Sequence, residues 1–524
     1  MNLRKTMSLD EKIGQMFMFG FDGLTPNEQI MDLIETDKIG GVCYFKRNTN
    51  NPEQVFHLSK ALQEKSDIPL FLTIDQEGGM VTRLTKGVTM SPGNMALGAA
   101  NDPDGVKQLC EVVGNQLKQI GINMNFAPCI DVNNNPDNPV IGVRSYGEDP
   151  DHVALLGTKA VEGYQAANVS AVPKHFPGHG DTAVDSHLGL PIVQKSYEQL
   201  KELELVPFKE AVATGVDAIM VSHVCFPAVE DIPSTLSKKM VTTVLREDLK
   251  YTGVIVTDCM EMKAVLDTYG VEESTIRAVE AGIDLVLFSH TYEFQKRAKH
   301  ALVEAVRSGR ITEQRIDESV ERILALKQKR LFNEPKSYSE EQLQQAGNQA
   351  LSMELSEKSI TVVKDENHLL PLKRNDKTLV LLPEIKATSV ADEIYDNQMT
   401  LQPYLSSLTD IEEIQYSTMN ADALRKKCRD AVQIVLVTYN ASANQTQKEF
   451  LQSLVKGNEQ KTVVCAMRNP YDYLCFPSIS TYICTYEIET GAKIGLSKVL
   501  AGEVVASGTL PVSIPGYFAV GHSV

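Results

Sequence analysis

Residues 253–258 read Gly-Val-Ile-Val-Thr-Asp. Val254, Ile255, Val256 and Thr257 are all β-branched, which stiffens their side chains and favours an extended backbone. Three successive apolar residues leave neither face polar, so both must be covered, as in a parallel sheet flanked by helices. Asp258 ends the run with a carboxylate at its carboxyl end. The same arrangement recurs along the chain. Leu70–Ile74 ends on Asp75, Ser170–Pro173 on Lys174 and His175, Ala218–Val221 on Ser222 and His223, and Leu285–Phe288 on Ser289 and His290. Ile39–Phe45 and Ile122–Ala127 are further strand candidates, and amphipathic helices are expected at Asp104–Ile120 and Glu198–Thr214. These repeated β–α units predict a TIM-like (β/α)8 barrel, with a doubly wound sheet as the alternative. In a barrel all these strand ends open on one face, where the active site lies.

The chain has 524 residues and a formal net charge of -17. A single core rarely grows beyond ~250–300 residues, so two domains are expected. The barrel is assigned to residues 1–335. Residues 336–356, polar and helix-prone behind the breaker Pro335, form the connection. Residues 357–524 are expected to form a second α/β domain, with strands at Ser359–Val363, Thr378–Leu382, Gln433–Val437, Thr462–Ala466 and Tyr482–Thr485. That region lacks the spaced histidines and aspartates of the first.

The acidic balance excludes nucleic acid and an anionic membrane as partners, and says nothing against an uncharged sugar. Nine cysteines, an odd number without a CxxC pair, fit buried thiols in a reducing compartment. Asp10 and Glu11 interrupt any stretch of signal-peptide length, and no run approaches the ~20 apolar residues of a membrane span. A cytoplasmic protein is expected.

The densest cluster of reactive side chains is 174-KHFPGHGDTAVDSH-187. His175 and His179 stand four apart, a metal-ligand spacing on a helix, but Pro177, Gly178 and Gly180 make a helix unfavourable there. Without helical spacing the metal reading loses its geometric support, and a long loop at the strand ends is expected instead. Its glycines are expected to leave it mobile, so that His187 moves during turnover. Asp185 and His187, two apart in extended chain, place their side chains on one side, and a carboxylate beside an imidazole prepares it for proton transfer near neutral pH. Asp258 is the candidate second group. Glu261 is a rival further into the following helix, and Met260 and Met262 are expected in the core. Asp75, Arg83 and Arg144 supply the carboxylate and guanidinium groups that bind pairs of hydroxyls.

These segments resemble the β-N-acetylglucosaminidase branch of glycoside hydrolase family 3. The resemblance rests on IDQEGG at 74–79, RSYGEDP at 144–150, KHFPGHGDTAVDSHLGLP at 174–191 and VTDCMEM at 256–262. It continues through SITVVKDENHLLPL at 359–372, RNPYD at 468–472 and GTLPVSIP at 508–515, segments similar to the family's second, α/β-sandwich domain. It implies that Asp258 is the nucleophile of a retaining reaction and His187 the acid/base, oriented by Asp185. Asp75, Arg83, Arg144, Lys174 and His175 would hold a terminal N-acetylglucosamine. The implied substrate is a small carbohydrate, a GlcNAc-containing glycoside or muropeptide derived from peptidoglycan, with no metal or other cofactor. One position departs from the pattern: Met80 stands where many relatives carry arginine.

Four rivals accompany this expectation. A phosphorylase of the same family would use phosphate in place of water, since a neutral imidazole repels an anion less than a carboxylate does. A β-glucosidase or β-xylosidase would usually place a glutamate acid/base in the second domain. A metal-dependent barrel hydrolase and a non-catalytic sugar-binding protein stand outside the family.

Overall fold

The computed structural model describes residues 6–331, 337–387, 389, 392–393 and 399–524, so the breaker Pro335 lies outside the described residues. The first part of the chain carries eight strands that pair in parallel, β1 (Phe17–Phe19), β2 (Gly41–Tyr44), β3 (Phe71–Ile74), β4 (Met124–Asn125), β5 (Ser170–Ala171), β6 (Ala218–Val221), β7 (Val254–Thr257) and β8 (Val286–Phe288), besides two short antiparallel pairs, Gln76–Gly78 with Val81–Thr82 and Cys225–Phe226 with Glu230–Pro233. Strands β8, β1, β2, β3, β4 and β5 form one sheet in that order, and β6 pairs with β7. All these pairings are parallel. Parallel bridges also join the two groups, Phe176 to Val221 and Val256 to Leu285. The seven expected strands are present. β1 is additional; Phe-Met-Phe is too short a run to announce a strand beside the helix that precedes it.

The helix expected at Asp104–Ile120 forms at Pro103–Gln119, capped by the Asp102 carboxylate, which accepts the Gly105 N–H at 2.9 Å. The single helix expected at Glu198–Thr214 is instead two, Tyr197–Glu202 and Leu205–Ala213. Pro207 explains the break: its ring clashes with the carbonyl four residues back, on Leu203, where the backbone leaves helical geometry. At the gap the buried Glu204 pairs with Lys195.

The second part carries β9 (Thr361–Asp365), β10 (Thr378–Leu382), β11 (Ile411–Gln415), β12 (Gln433–Thr438), β13 (Thr462–Ala466) and β14 (Thr481–Cys484). They form one sheet in the order β9-β14-β13-β12-β10-β11, with β9 alone antiparallel to its neighbour. The five expected strands are present. The unexpected one, β11, is an edge strand reading Ile-Glu-Glu-Ile-Gln, partly exposed along its length.

Two α/β domains result, each around its own core. One core runs from Ile13 to Leu355. The other, centred on β9–β14, also takes in Met80, Met95, Ala96, Ala99 and Val143 from the first part. The helix Ala346–Ser359 packs on both Pro103–Gln119 and Thr490–Ala501, so the connection is itself part of the packed structure. Met80 is buried, with the Tyr439 hydroxyl 3.8 Å from its sulfur. The departure at position 80 is thus absorbed by packing between the domains.

Candidate active site

The carboxyl ends of β2 to β8 contribute to one cavity of about 590 Å³. Asp75, Arg83, Arg144, Lys174, His175, His187 and Asp258 all line it, and Asp185 stands behind His187. Sequence reasoning had singled out each of these eight residues, and the fold brings them together.

Asp258 leaves β7 with one carboxylate oxygen accepting the Cys259 N–H at 2.7 Å. Burial alone would raise its pKa. The imidazoles of His175, His223 and His187, together with that N–H, more than offset burial and bring the pKa down to about 2. Asp258 is therefore ionised throughout the neutral range. His223, fully buried, holds the turn by donating from Nε2 to the Cys259 carbonyl at 3.0 Å. The rival Glu261 also lines the cavity, but its carboxylate is engaged, accepting the N–H groups of His290 and Thr291 at the start of the helix Tyr292–Arg307. Met260 and Met262 are buried, as expected.

Asp185 holds His187 twice through Oδ1, from the ring Nδ1 at 2.7 Å and from the backbone N–H at 2.9 Å. That bond assigns the proton of the neutral ring to Nδ1 and leaves Nε2 for proton traffic. Burial opposes ionisation of Asp185, but the His187 bonds keep its pKa below the usual carboxylate range. The segment 174–187 forms no helix, in line with the loop expected for it.

Within this loop His179 acts as a staple. Its Nδ1 lies 2.7 Å from Thr182 Oγ1 and its Nε2 3.0 Å from Ser186 Oγ, while burial lowers its pKa to about 4. Gly178 and Gly180 allow close packing. A Cβ on Gly180 would lie 1.7 Å from the Val132 carbonyl oxygen, and one on Gly178 2.7 Å from the Glu204 side chain.

A charged network lies along the cavity wall. Lys174 Nζ sits 2.5 Å from Asp75 and 2.6 Å from Glu77. Glu77 also receives a bidentate pair from Arg144, at 3.0 and 2.8 Å. Burial opposes the Glu77 charge, yet Arg144 and Lys174 hold its carboxyl well below the usual range. Arg83 stands 3.7 Å from Asp75 and 2.9 Å from Glu393, a residue of the second domain.

His175 forms a second histidine–aspartate pair, deeper than the first. Asp131 Oδ2 takes its Nδ1 at 2.6 Å, and Arg144 lies 3.3 Å from its Nε2. Cys129, Asp131 and His175 bring three potential metal ligands together. The donor set fits a metal poorly: Asp131 is already occupied by two backbone N–H groups and the ring, and the Arg144 cation faces the other ring nitrogen. Burial, reinforced by Asp131, also keeps the Cys129 thiol protonated.

Glu77, Asp131 and Glu393 escaped sequence reasoning, and His179 entered it only as a possible metal ligand beside His175. Glu77 had a usable signal, being two residues beyond Asp75 in the same short segment. Glu393 had none, since no spacing ties it to residues some three hundred positions earlier.

The chain matches the family model for the glycosyl hydrolase family 3 N-terminal domain over residues 8–326. It is 31% identical to the β-hexosaminidase A of Pseudoalteromonas piscicida over 93% of this chain and 91% of that one. A β-hexosaminidase of Xylella fastidiosa is 34% identical over 52% of this chain and 83% of its own. Among solved structures, a family 3 β-N-acetylglucosaminidase from Paenibacillus sp. str. FPU-7 superposes with a TM-score of 0.93 at 44% identity, covering 97% of this chain and 99% of that one.

Proposed function

The chain belongs to glycosyl hydrolase family 3 and is a glycoside hydrolase, and on that footing we propose that it is a retaining exo-β-N-acetylglucosaminidase. The observation that carries this reading is the pairing of an ionised Asp258 with an Asp185-held imidazole on one cavity. The names of the relatives at 31% and 44% identity support N-acetylglucosamine as the sugar.

In the first step an Asp258 carboxylate oxygen bonds to the anomeric carbon. The bond to the leaving oxygen breaks, and that oxygen takes the proton from Nε2 of protonated His187. Asp185 stabilises the imidazolium beforehand. In the second step water bonds to the same carbon, the glycosyl-aspartate ester breaks, and His187 Nε2 takes the water proton. Asp75, Arg83, Arg144, Lys174 and His175 hold the sugar hydroxyls and acetamido group.

The first domain functions as a (β/α)8-type barrel, a reading supported by the two parallel bridges that join its strand groups. We assign the barrel to residues 1–335, the connection to 336–356 and an α/β sandwich to 357–524. GlcNAc–MurNAc fragments of peptidoglycan are the substrates that the relatives' branch suggests, without nucleic acid or membrane as partner. A cytoplasmic site is supported by nine free cysteines, eight of them buried. Among the described residues no helix is long and apolar enough to cross a membrane. Phosphorolysis is the second reading, favoured by an imidazole where a carboxylate acid/base would repel phosphate.

Hydrolysis of aryl β-N-acetylglucosaminide beside aryl β-glucoside tests the proposal. Wild type should prefer the acetamido sugar, and Asp258→Ala should lose on the order of 10⁴-fold or more in kcat, as removal of a nucleophile does. His187→Ala should lose less on so activated a leaving group and change the pH profile instead. Preference for the glucoside would reject the sugar assignment, and sugar-1-phosphate formed in phosphate buffer would establish phosphorolysis.

A further inference from the structure

Among the described residues that line the cavity, Glu393 alone comes from the second domain. It is anchored firmly. Its N–H donates to the Met80 carbonyl at 2.9 Å, and its neighbour Asp392 receives a bidentate pair from Arg468 at 2.9 and 3.1 Å. Met80 is itself buried in the second domain's core, so both sides of the junction hold the carboxylate in place.

Among the described residues only one of its oxygens has a partner. Oε1 accepts from Arg83 Nη1 at 2.9 Å, whereas Oε2 takes no partner among the described residues and the side chain keeps 23% exposure. A carboxylate oxygen left open beside a guanidinium suits a pair of neighbouring hydroxyls: the oxygen accepts one O–H while the guanidinium donates to the other oxygen. A neutral apolar occupant would leave that oxygen desolvated and unpaired, which is unfavourable.

The position within the site specifies which hydroxyls. The wall network runs from His175, whose imidazole acts on Asp258, to Arg83 and Glu393 at the other end. A sugar with its anomeric carbon at Asp258 turns the hydroxyls furthest from that carbon, on C3, C4 and C6, towards Glu393. We propose that Glu393 Oε2 accepts a hydrogen bond from one of these hydroxyls, so that the second domain supplies a specificity-determining group and restricts cleavage to an unsubstituted terminal sugar. The proposal rests on the reading of the cavity as a terminal-sugar site.

The test uses the full chain, with wild type, Glu393→Ala and Glu393→Gln, on aryl β-N-acetylglucosaminide and its 3-, 4- and 6-deoxy analogues. Glu393→Ala should lose roughly 10- to 150-fold in kcat/KM on the parent sugar, the loss that accompanies removal of a hydrogen bond to a charged group. On at least one deoxy analogue wild type and Glu393→Ala should be equal, because the bond is already absent. Glu393→Gln keeps an accepting oxygen and the side-chain shape, and should lose less. An equal loss on the parent and on every deoxy analogue would reduce Glu393 to a support for Arg83 and overturn the proposal, as would no loss at all. A wild type inactive on the parent sugar would reject the functional reading instead.

Discussion

Buried acids of the cavity wall and buried acids of the second domain have opposite fates. In the first, Glu77, Asp131 and Asp258 are all depressed below the usual carboxylate range, because lysine, arginine, imidazole or N–H groups outweigh the cost of burial. In the second, burial pushes Asp472 and Glu487 upward. Glu487 has the Ser356 hydroxyl at 2.7 Å and the Glu489 N–H at 2.9 Å, and these bonds, with the weaker pull of Lys493, leave its pKa at about 8. The same chemical group is thus kept charged at Asp258 and, at Glu487, held largely protonated at neutral pH beside the start of the helix Thr490–Ala501. Charge is concentrated where it can act on a substrate, and the second domain reaches that place through Glu393 alone among the described residues.

The contrast can be broken most forcefully at Glu77. Glu77→Ala strands Arg144 as a buried cation and leaves Lys174 with Asp75 alone, and should cost about 3–5 kcal/mol in a denaturation experiment, the penalty for breaking a buried ion pair from one side. A cost near zero would mean that the network is solvated and not a buried pair.

An effect opposite in kind, spread over pH, is expected at Glu487. Its pKa is raised from 4.5 to about 8 by burial, so the stabilisation is complete below pH 4.5 and is lost as pH rises towards 8. Glu487→Gln should remove a slope of at most about 1.4 kcal/mol per pH unit across that interval, so the variant gains on wild type as pH rises. Parallel curves for the two proteins would show that the carboxyl is not held neutral.

His179 sharpens the comparison from the other direction. Burial lowers its pKa from 6.5 to about 4, so its stabilisation is complete above pH 6.5 and is lost as pH falls towards 4. His179→Gln should flatten the acid side of the stability curve, by a smaller total than at Glu487 because the interval is shorter. If wild type and variant fall together below pH 6.5, His179 is not the titrating staple.

Much of this organisation was legible because burial on both faces leaves a simple signature. Ala218–Val221 and Val254–Thr257 form the strands their sequences predict, each followed by a polar side chain that faces the cavity or supports it. The edge strand Ile411–Gln415 was not legible, because only one neighbour covers it and glutamates interrupt its apolar residues. The break at Leu203 was available from Pro207 but hidden by an otherwise continuous amphipathic pattern. Within the site, the residues at strand ends could be found. Asp131 could not, because its partner His175 lies 44 residues away and no local pattern links them.

The central claim is that Asp258 becomes covalently bonded to the sugar. Wild type should be incubated with an activated 2-fluoro sugar of the substrate's configuration, digested and examined by mass spectrometry. The account predicts one added glycosyl group on the peptide that contains Asp258, with loss of activity in step with labelling. Full inactivation with the label on another residue, or steady turnover with no label on Asp258, would contradict it.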